Sequence, residues 1–179
     1  MLPGMRESPE AEKVSRWIEA ELETRVVKMA RQPRWRPVWF VDAERAGELQ
    51  TFVVRGDRLD ARIGFTLEHE MTLQRLLHEH GIPVAGVHGW IDDPRAYVMD
   101  HVRGEEHFGN ASAAERDAAM DEYMGSLARM HALDVAPFAA AGILRADRPA
   151  EAGRIGMRVY EEAYRAVKKR PDPLLEFAL

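Results

Sequence analysis

Residues 37–55 read PVWFVDAERAGELQTFVVR, and this stretch decides the fold. Two runs rich in β-branched and aromatic residues, Pro37–Val41 and Leu49–Arg55, flank the polar segment Asp42–Glu48, which contains Gly47. Short runs of this kind around a polar, glycine-containing segment are typical of a β-hairpin. A similar run at Arg25–Met29 precedes them, so we predict an antiparallel meander with strands near 25–31, 36–42 and 49–55.

Further elements on both sides of the meander complete a sheet flanked by helices. Upstream, Ser8-Pro9 is a helix-start signal, and apolar residues at helical spacing predict a helix over 9–23. Downstream, a second such pattern predicts a helix over 65–80, which Gly81-Ile82-Pro83 ends. Two more strands, near 84–90 and 95–100, follow it. This order predicts an α+β fold with a five-stranded antiparallel sheet.

After about residue 104 the pattern becomes helical. Ser112-x-x-Glu115 has the form of a capping box and predicts the start of a long helix that reaches His131. Further helices are predicted over 149–169 and from Pro173. The long helix carries an apolar stripe made of Met120, Tyr123, Met124, Leu127 and Met130. Such a stripe is more often a buried face than a cofactor site, so we interpret it as core.

Composition excludes several classes of protein. The chain has 179 residues, enough for one domain or a small domain with part of another, and its net charge is −5. That charge provides no general attraction to nucleic acid or to an anionic membrane. Because the sequence contains no cysteine, a disulfide framework is excluded, and no apolar run approaches the roughly 20 residues of a membrane helix. We expect a cytoplasmic protein with neither nucleic-acid nor membrane partners.

Three segments, taken in order, resemble a known family. Phe52-Val53-Val54-Arg55 is a strand that ends in a cation, Glu70 lies on the following helix, and Tyr97-Val98-Met99-Asp100 runs into His101-Val102-Arg103-Gly104. Together with Leu127–Asp134, they are similar to the aminoglycoside phosphotransferase family. The resemblance covers about residues 20–179. It implies a protein-kinase-like small lobe over 1–100, a hinge over 101–104, and the first helices of an incomplete large lobe over 105–179.

The resemblance also implies a site and a reaction. Arg55 would contact the phosphates of ATP, with Glu70 orienting it, because phosphoryl transfer depends on fixing and neutralising those phosphates. The main chain of Asp100 and Val102 would bind the adenine edge, with Met99 behind the base. The implied partners are a nucleotide and a small molecule with an acceptor hydroxyl, and the implied cofactors are ATP and Mg²⁺. The alternative for Arg55 and Glu70 is a pair of surface charges, and for the hinge a plain linker.

Two features depart from the family pattern. Relatives usually carry lysine where this chain has Arg55, and arginine's planar fork approaches phosphates differently. The connection Ala30–Pro37, where a glycine-rich loop is expected, has no glycine, two prolines and three arginines. Arg31, Arg34 or Arg36 would supply charge there, or they form a solvated basic turn.

The expected catalytic aspartate, in a His-Gly-Asp loop, and the later magnesium-binding aspartate have no match. His88-Gly89 is followed by Trp90 on a predicted strand, and His131-Ala132-Leu133-Asp134 lies upstream of the expected position. The sequence therefore predicts the nucleotide-binding portion of an ATP-dependent phosphotransferase that is inactive alone. The alternative is a degenerate kinase fold that binds a nucleotide or another ligand without catalysis.

Overall fold

The computed structural model describes residues 8–58, 65–104 and 108–178, so parts of the predicted regions 1–100 and 105–179 lie outside the described residues. Its five strands form one antiparallel sheet in the order β1-β2-β3-β5-β4. The strands are β1 (Arg25–Gln32), β2 (Val38–Arg45), β3 (Glu48–Gly56), β4 (Val87–Asp92) and β5 (Arg95–Asp100). The helices are α1 (Pro9–Glu21), α2 (Leu67–Glu79), α3 (Ala113–His131), α4 (Ala136–Ala140), α5 (Ala152–Val167) and α6 (Pro173–Ala178). The predicted α+β class with a five-stranded antiparallel sheet is confirmed.

The β2–β3 hairpin is longer than predicted and its turn is tighter. Arg45 pairs with Glu48, so the turn consists of Ala46 and Gly47, whose φ angles are 52° and 86°. Two positive φ angles match the right-handed twist of the flanking strands, and glycine adopts such an angle without strain. The polar segment from Asp42 to Arg45 belongs to β2 because Ala43 is buried there and the Asp42 carboxylate accepts a hydrogen bond from the Thr51 hydroxyl at 2.8 Å.

One face of the sheet buries the main apolar core against α1. Val14 and Ile18 of α1 are fully buried, and they belong to one cluster with Val41, Val54 and Val98 from β2, β3 and β5. The helix starts where Ser8 accepts a hydrogen bond from the Ala11 N–H, and it ends at Glu21, two residues before the predicted end. Alternation along each strand leaves the opposite face of the sheet to side chains such as Phe40, Val53 and Arg55.

Both outer strands of the sheet contain a β-bulge. In β1 the register shifts between Val26 and Lys28, and in β4 it shifts between Val87 and Gly89. β4 begins at Val87, three residues after the predicted start at 84. The Gly86 N–H just before it donates to the Asp100 carboxylate at 3.0 Å. A side chain therefore takes a backbone donor that a longer strand would use.

The helices after residue 108 leave their apolar stripe exposed. Ser112 and Glu115 form the predicted capping box at the start of α3. No residue of α3 is buried, and Met120, Tyr123 and Met124 are 58%, 62% and 53% exposed. The interpretation of this stripe as core is therefore wrong for the described residues. Helical spacing identifies the face that a helix can bury, but burial also requires a partner element on that face. No described helix is both long and apolar enough to cross a membrane.

Candidate functional site

An ion pair joins the end of β3 to the first turn of α2. The Arg55 guanidinium (Nη2) lies 3.0 Å from Glu70 Oε2. Thr66 caps α2 by accepting a hydrogen bond from the His69 N–H, which fixes the first helical turn beside the sheet. The predicted pairing of Arg55 with Glu70 is confirmed as a contact. The role of this pair in phosphate binding remains a prediction.

A second arginine, which the sequence did not single out, shares Glu70. Arg36 Nη2 lies 2.8 Å from Glu70 Oε1, so each carboxylate oxygen contacts one guanidinium. Arg36 comes just before β2, and the register Val38↔Arg55 places it near the end of β3. Aligning the predicted hairpin could have identified this residue, because the register makes Arg36 the arginine of the β1–β2 connection nearest to Arg55. Sequence spacing alone did not separate it from Arg31 and Arg34.

The electrostatics of this cluster (Arg36, Glu70 and Arg55) are unbalanced. Two guanidiniums and one carboxylate give a formal charge of +1. Arg36 Nη1 and Arg55 Nε are buried and have no hydrogen-bond partner among the described residues. Buried donors without partners are rare because their desolvation is not offset. The cluster therefore has unmatched positive charge, and Arg55 is its more exposed cation, so the cluster suits an anion.

Tyr97 lies beneath the cluster and is affected by its charges. It is opposite Arg55 in the β3–β5 register, and its hydroxyl donates to Gln74 Oε1 at 3.1 Å. Burial raises the pKa of the Tyr97 phenol, Arg55 acts to lower that pKa, Glu70 acts to raise it and Arg36 acts to lower it. All three charges therefore act on the Tyr97 phenol, next to which the β3–β5 register places Arg55. Gln74 also donates to the Ala85 carbonyl at 2.8 Å, which ties α2 to the segment before β4.

An apolar strip leads from this cluster toward the predicted hinge. Val53 is two residues before Arg55 on the same face, and it pairs with Phe40 on one side and Met99 on the other. The Phe40 ring contacts the His101 imidazole edge to face, with ring centroids 5.3 Å apart. Phe40 and His101 were not predicted as site residues, because their proximity depends on the register of three strands. Phe40, Val53 and Met99 together form an apolar surface beside the unbalanced charges.

The predicted hinge residues are placed differently from one another. The Asp100 carboxylate is bound to β4: it accepts from the Gly86 N–H, and its Oδ1 lies 2.7 Å from His88 Nε2. Asp100 pairs with Phe52, whose side chain belongs to the core on the α1 side. Because its side chain is directed to that side, only the main chain of Asp100 is left for the opposite face. Val102 lies beyond β5 and its side chain is 70% exposed.

The two segments that did not match a catalytic loop, His88-Gly89 and His131–Asp134, make structural contacts. Gly89 lies on β4, where an added Cβ would come within 2.8 Å of two ring atoms of Trp17. A glycine there allows the indole to lie across the strand. Asp134 accepts a hydrogen bond from the Ala136 N–H at 2.9 Å, at the start of α4. Within the described ranges, no group of three or more His, Asp or Glu side chains is arranged to hold a metal ion.

A cavity of about 840 Å³ opens on the other side of the sheet, lined in part by Lys13, Trp39 and Arg95. Five basic and four acidic side chains line it among the described residues, and Lys13 binds Asp93 at 2.5 Å while Arg95 binds Asp57 at 3.3 Å. Its formal charge is therefore +1, the same as that of the cluster around Glu70. The apolar surface of Phe40, Val53 and Met99, which lies beside the cluster, favours the face of the sheet that carries Arg55.

Comparison with known proteins identifies the family. The sequence model of the phosphotransferase enzyme family matches residues 30–178. The chain therefore belongs to this family, which includes the aminoglycoside phosphotransferases and has a kinase-like fold. The family predicted from the sequence is confirmed. Searches of curated proteins and of solved structures found no match.

Proposed function

We propose that this chain is the nucleotide-binding portion of an ATP-dependent phosphotransferase acting on a hydroxyl of a small molecule. Residues up to 100 form the small lobe, 101–104 the hinge, and the helices that follow the beginning of a large lobe. The observation that carries this proposal is the pair of Arg55 and Glu70 at 3.0 Å, next to the apolar surface of Phe40, Val53 and Met99. A cationic end and an apolar end on one face suit a nucleotide.

The phosphates bind at the cationic end. Arg55 is 38% exposed, so its guanidinium is accessible to a ligand while Glu70 holds it in place. Guanidinium groups bind phosphate oxygens with charge-assisted hydrogen bonds, which are stronger than neutral ones. The cluster does not suit Mg²⁺, because its only carboxylate is shared by two cations. Magnesium therefore needs ligands outside this cluster.

The adenine base binds at the apolar end. Val53 and Met99 contact one side of the base, and the main chain of Asp100 and Val102 binds its edge. The Asp100 side chain is held against β4, so its main chain has a fixed position. Fixed hydrogen-bonding groups bind a ligand with less loss of conformational entropy.

A second candidate function is nucleotide binding without transfer. It is favoured by the connection before β2, where buried Arg36 stands in place of a glycine-rich loop. It is also favoured by the structural contacts of Gly89 and Asp134, which leave neither motif as a catalytic loop. The two functions make the same prediction for binding and differ for transfer. An assay of ATP consumption by the complete protein distinguishes them.

Chemical-shift titration with adenosine, ATP and GTP tests the binding site. We expect adenosine to shift the amides of residues 99–102, with a dissociation constant on the order of millimolar. Arg55→Ala should weaken ATP about tenfold because a phosphate contact is lost, and leave adenosine unchanged. Arg31→Ala removes a similar charge from an exposed position on β1 and serves as the control. If no nucleotide shifts residues 99–102, or if Arg55→Ala weakens adenosine and ATP equally, the proposed site is wrong.

A further inference from the structure

The two arginines that share Glu70 are buried to different extents. Arg36 is 8% exposed at its side chain, Glu70 28% and Arg55 38%. Arg36 is thus the inner cation of the cluster and Arg55 the outer one. Of all charged residues in the described ranges, Arg36 is the one that is buried.

The burial of Arg36 is unfavourable by itself. A guanidinium taken out of water loses hydration, and it regains stability only where its donors are paired. Arg36 has a partner in Glu70, but its Nη1 has none among the residues that the structure describes. The Trp35 ring adds a contact, with its centroid 5.7 Å from the Arg36 guanidinium carbon. An apolar side chain at this position would avoid the desolvation penalty, so stability alone does not account for an arginine here.

The effect of Arg36 on the charge of the site explains why an arginine occupies this buried position. If Glu70 had Arg55 as its sole partner, the pair would be neutral and Arg55 would offer little net charge to a phosphate. With Arg36 bound to the other carboxylate oxygen, the cluster carries +1, and Arg55 is its more exposed cation. Arg36 also connects the segment before β2 to α2 through its contact with Glu70.

We propose that Arg36 is a positioning residue of the phosphate site: it binds Glu70 from the β1–β2 connection and leaves the charge of Arg55 available to the phosphates of a nucleotide. The inference rests on the proposed function and adds a residue to it. Arg36 replaces, through charge, part of what backbone amides do in a glycine-rich loop. Its own Nη1 is too buried to contact a ligand, so it acts through Glu70 and Arg55.

Three probes separate the base site from the phosphate site. Adenosine reports on the base site, inorganic tripolyphosphate on the cluster, and ATP on both. Calorimetric titration at physiological ionic strength, where exposed charges more than about 8 Å apart are largely screened, compares the wild type with Arg36→Gln, Arg36→Lys and Arg31→Gln. Arg36→Lys keeps the charge, and Arg31→Gln removes a charge from an exposed position on the neighbouring strand. Thermal unfolding of each variant shows that it is folded at the titration temperature.

We expect Arg36→Gln to weaken tripolyphosphate and ATP about tenfold, which corresponds to about 1.4 kcal/mol. Adenosine should bind Arg36→Gln as it binds the wild type. Arg36→Lys should recover most of the loss because the positive charge is retained, and Arg31→Gln should stay within about twofold of the wild type.

Each other outcome overturns one of the two proposals. If Arg36→Gln leaves tripolyphosphate affinity unchanged, or weakens adenosine as much as ATP, Arg36 is a structural residue and the inference is wrong. The inference is also wrong if the wild type binds no tripolyphosphate. If the wild type binds tripolyphosphate but not adenosine, the proposed nucleotide site fails, and the Arg36→Gln result with tripolyphosphate still decides the role of Arg36.

Discussion

Replacing Glu70 by glutamine tests how strongly the cluster depends on a single negative charge. Glutamine has nearly the same shape, and its carbonyl oxygen can still accept one hydrogen bond. The change removes the carboxylate that contacts Arg36 at 2.8 Å and Arg55 at 3.0 Å. We therefore expect Glu70→Gln to lower the free energy of unfolding while leaving the fold intact.

The expected loss comes mainly from the buried partner. Arg55 is 38% exposed, and water replaces its lost contact, so its share is about 0–1 kcal/mol. Arg36 is 8% exposed and would keep a buried charge with only a neutral amide beside it, so its share is about 2–3 kcal/mol. The total is about 2–4 kcal/mol, a large part of the about 5–15 kcal/mol that is typical of a folded domain.

Urea unfolding, followed by tryptophan fluorescence, measures this loss. Glu68→Gln is the matched control, since Glu68 lies on the same helix and pairs with Arg95, both 41% exposed, so its loss should stay below about 1 kcal/mol. Tripolyphosphate should raise the melting temperature of Glu70→Gln more than that of the wild type, because the formal charge of the cluster rises from +1 to +2 when the carboxylate is removed. If Glu70→Gln is no more destabilising than Glu68→Gln, the burial argument for Arg36 is refuted.

Two further predictions concern packing and pH. Gly89→Ala places a Cβ 2.8 Å from Trp17 Cζ2 and Cη2, so urea unfolding should show that the free energy of unfolding falls by about 1–3 kcal/mol. Trp17→Leu should relieve this loss in the double variant. Gly109→Ala is the control, because nothing lies within 4 Å of a Cβ added there, and an equal loss in the two alanine variants would contradict the prediction. Hydrogen bonds from Ser112 hold the pKa of Glu115 below its ordinary value of 4.5, so the stabilisation it gives α3 is present above that value and is lost as pH falls through the lowered pKa. The Ser112 amide resonance should follow this change in the wild type and not in Glu115→Gln; the same acid transition in both would show that the capping box does not cause it.

Local patterns predicted the sheet well because alternation and turn chemistry act over a few residues. The hairpin from Val38 to Gly56 follows from its β-branched runs and from Gly47. The contact between Arg55 and Glu70 followed from the order of strand and helix in the family. The predicted start of β4 was wrong because the actual start depends on a hydrogen bond from the Gly86 N–H to the Asp100 carboxylate, 14 residues later in the sequence.

The features that were not predicted from the sequence depend on how elements far apart in the sequence are positioned. The pairing of Arg36 with Glu70 requires the exact register of β2 and β3, and a one-residue shift would point other side chains to this face. The stripe on α3 has the period of a buried face, yet Met120 and Tyr123 are exposed in the described structure. The period of apolar residues is a property of one helix, whereas their burial also requires a partner element that packs against that face.

The two bulges described in the outer strands affect how this protein behaves at high concentration. An exposed sheet edge has free N–H and C=O groups that can pair with a strand of another molecule and begin aggregation. The extra residues in the outer strands, Val27 in β1 and His88 in β4, interrupt the regular spacing of those groups. Bulges increase local twist, so a flat second strand does not match either edge over its length. The two bulges therefore oppose edge-to-edge polymerisation of the sheet.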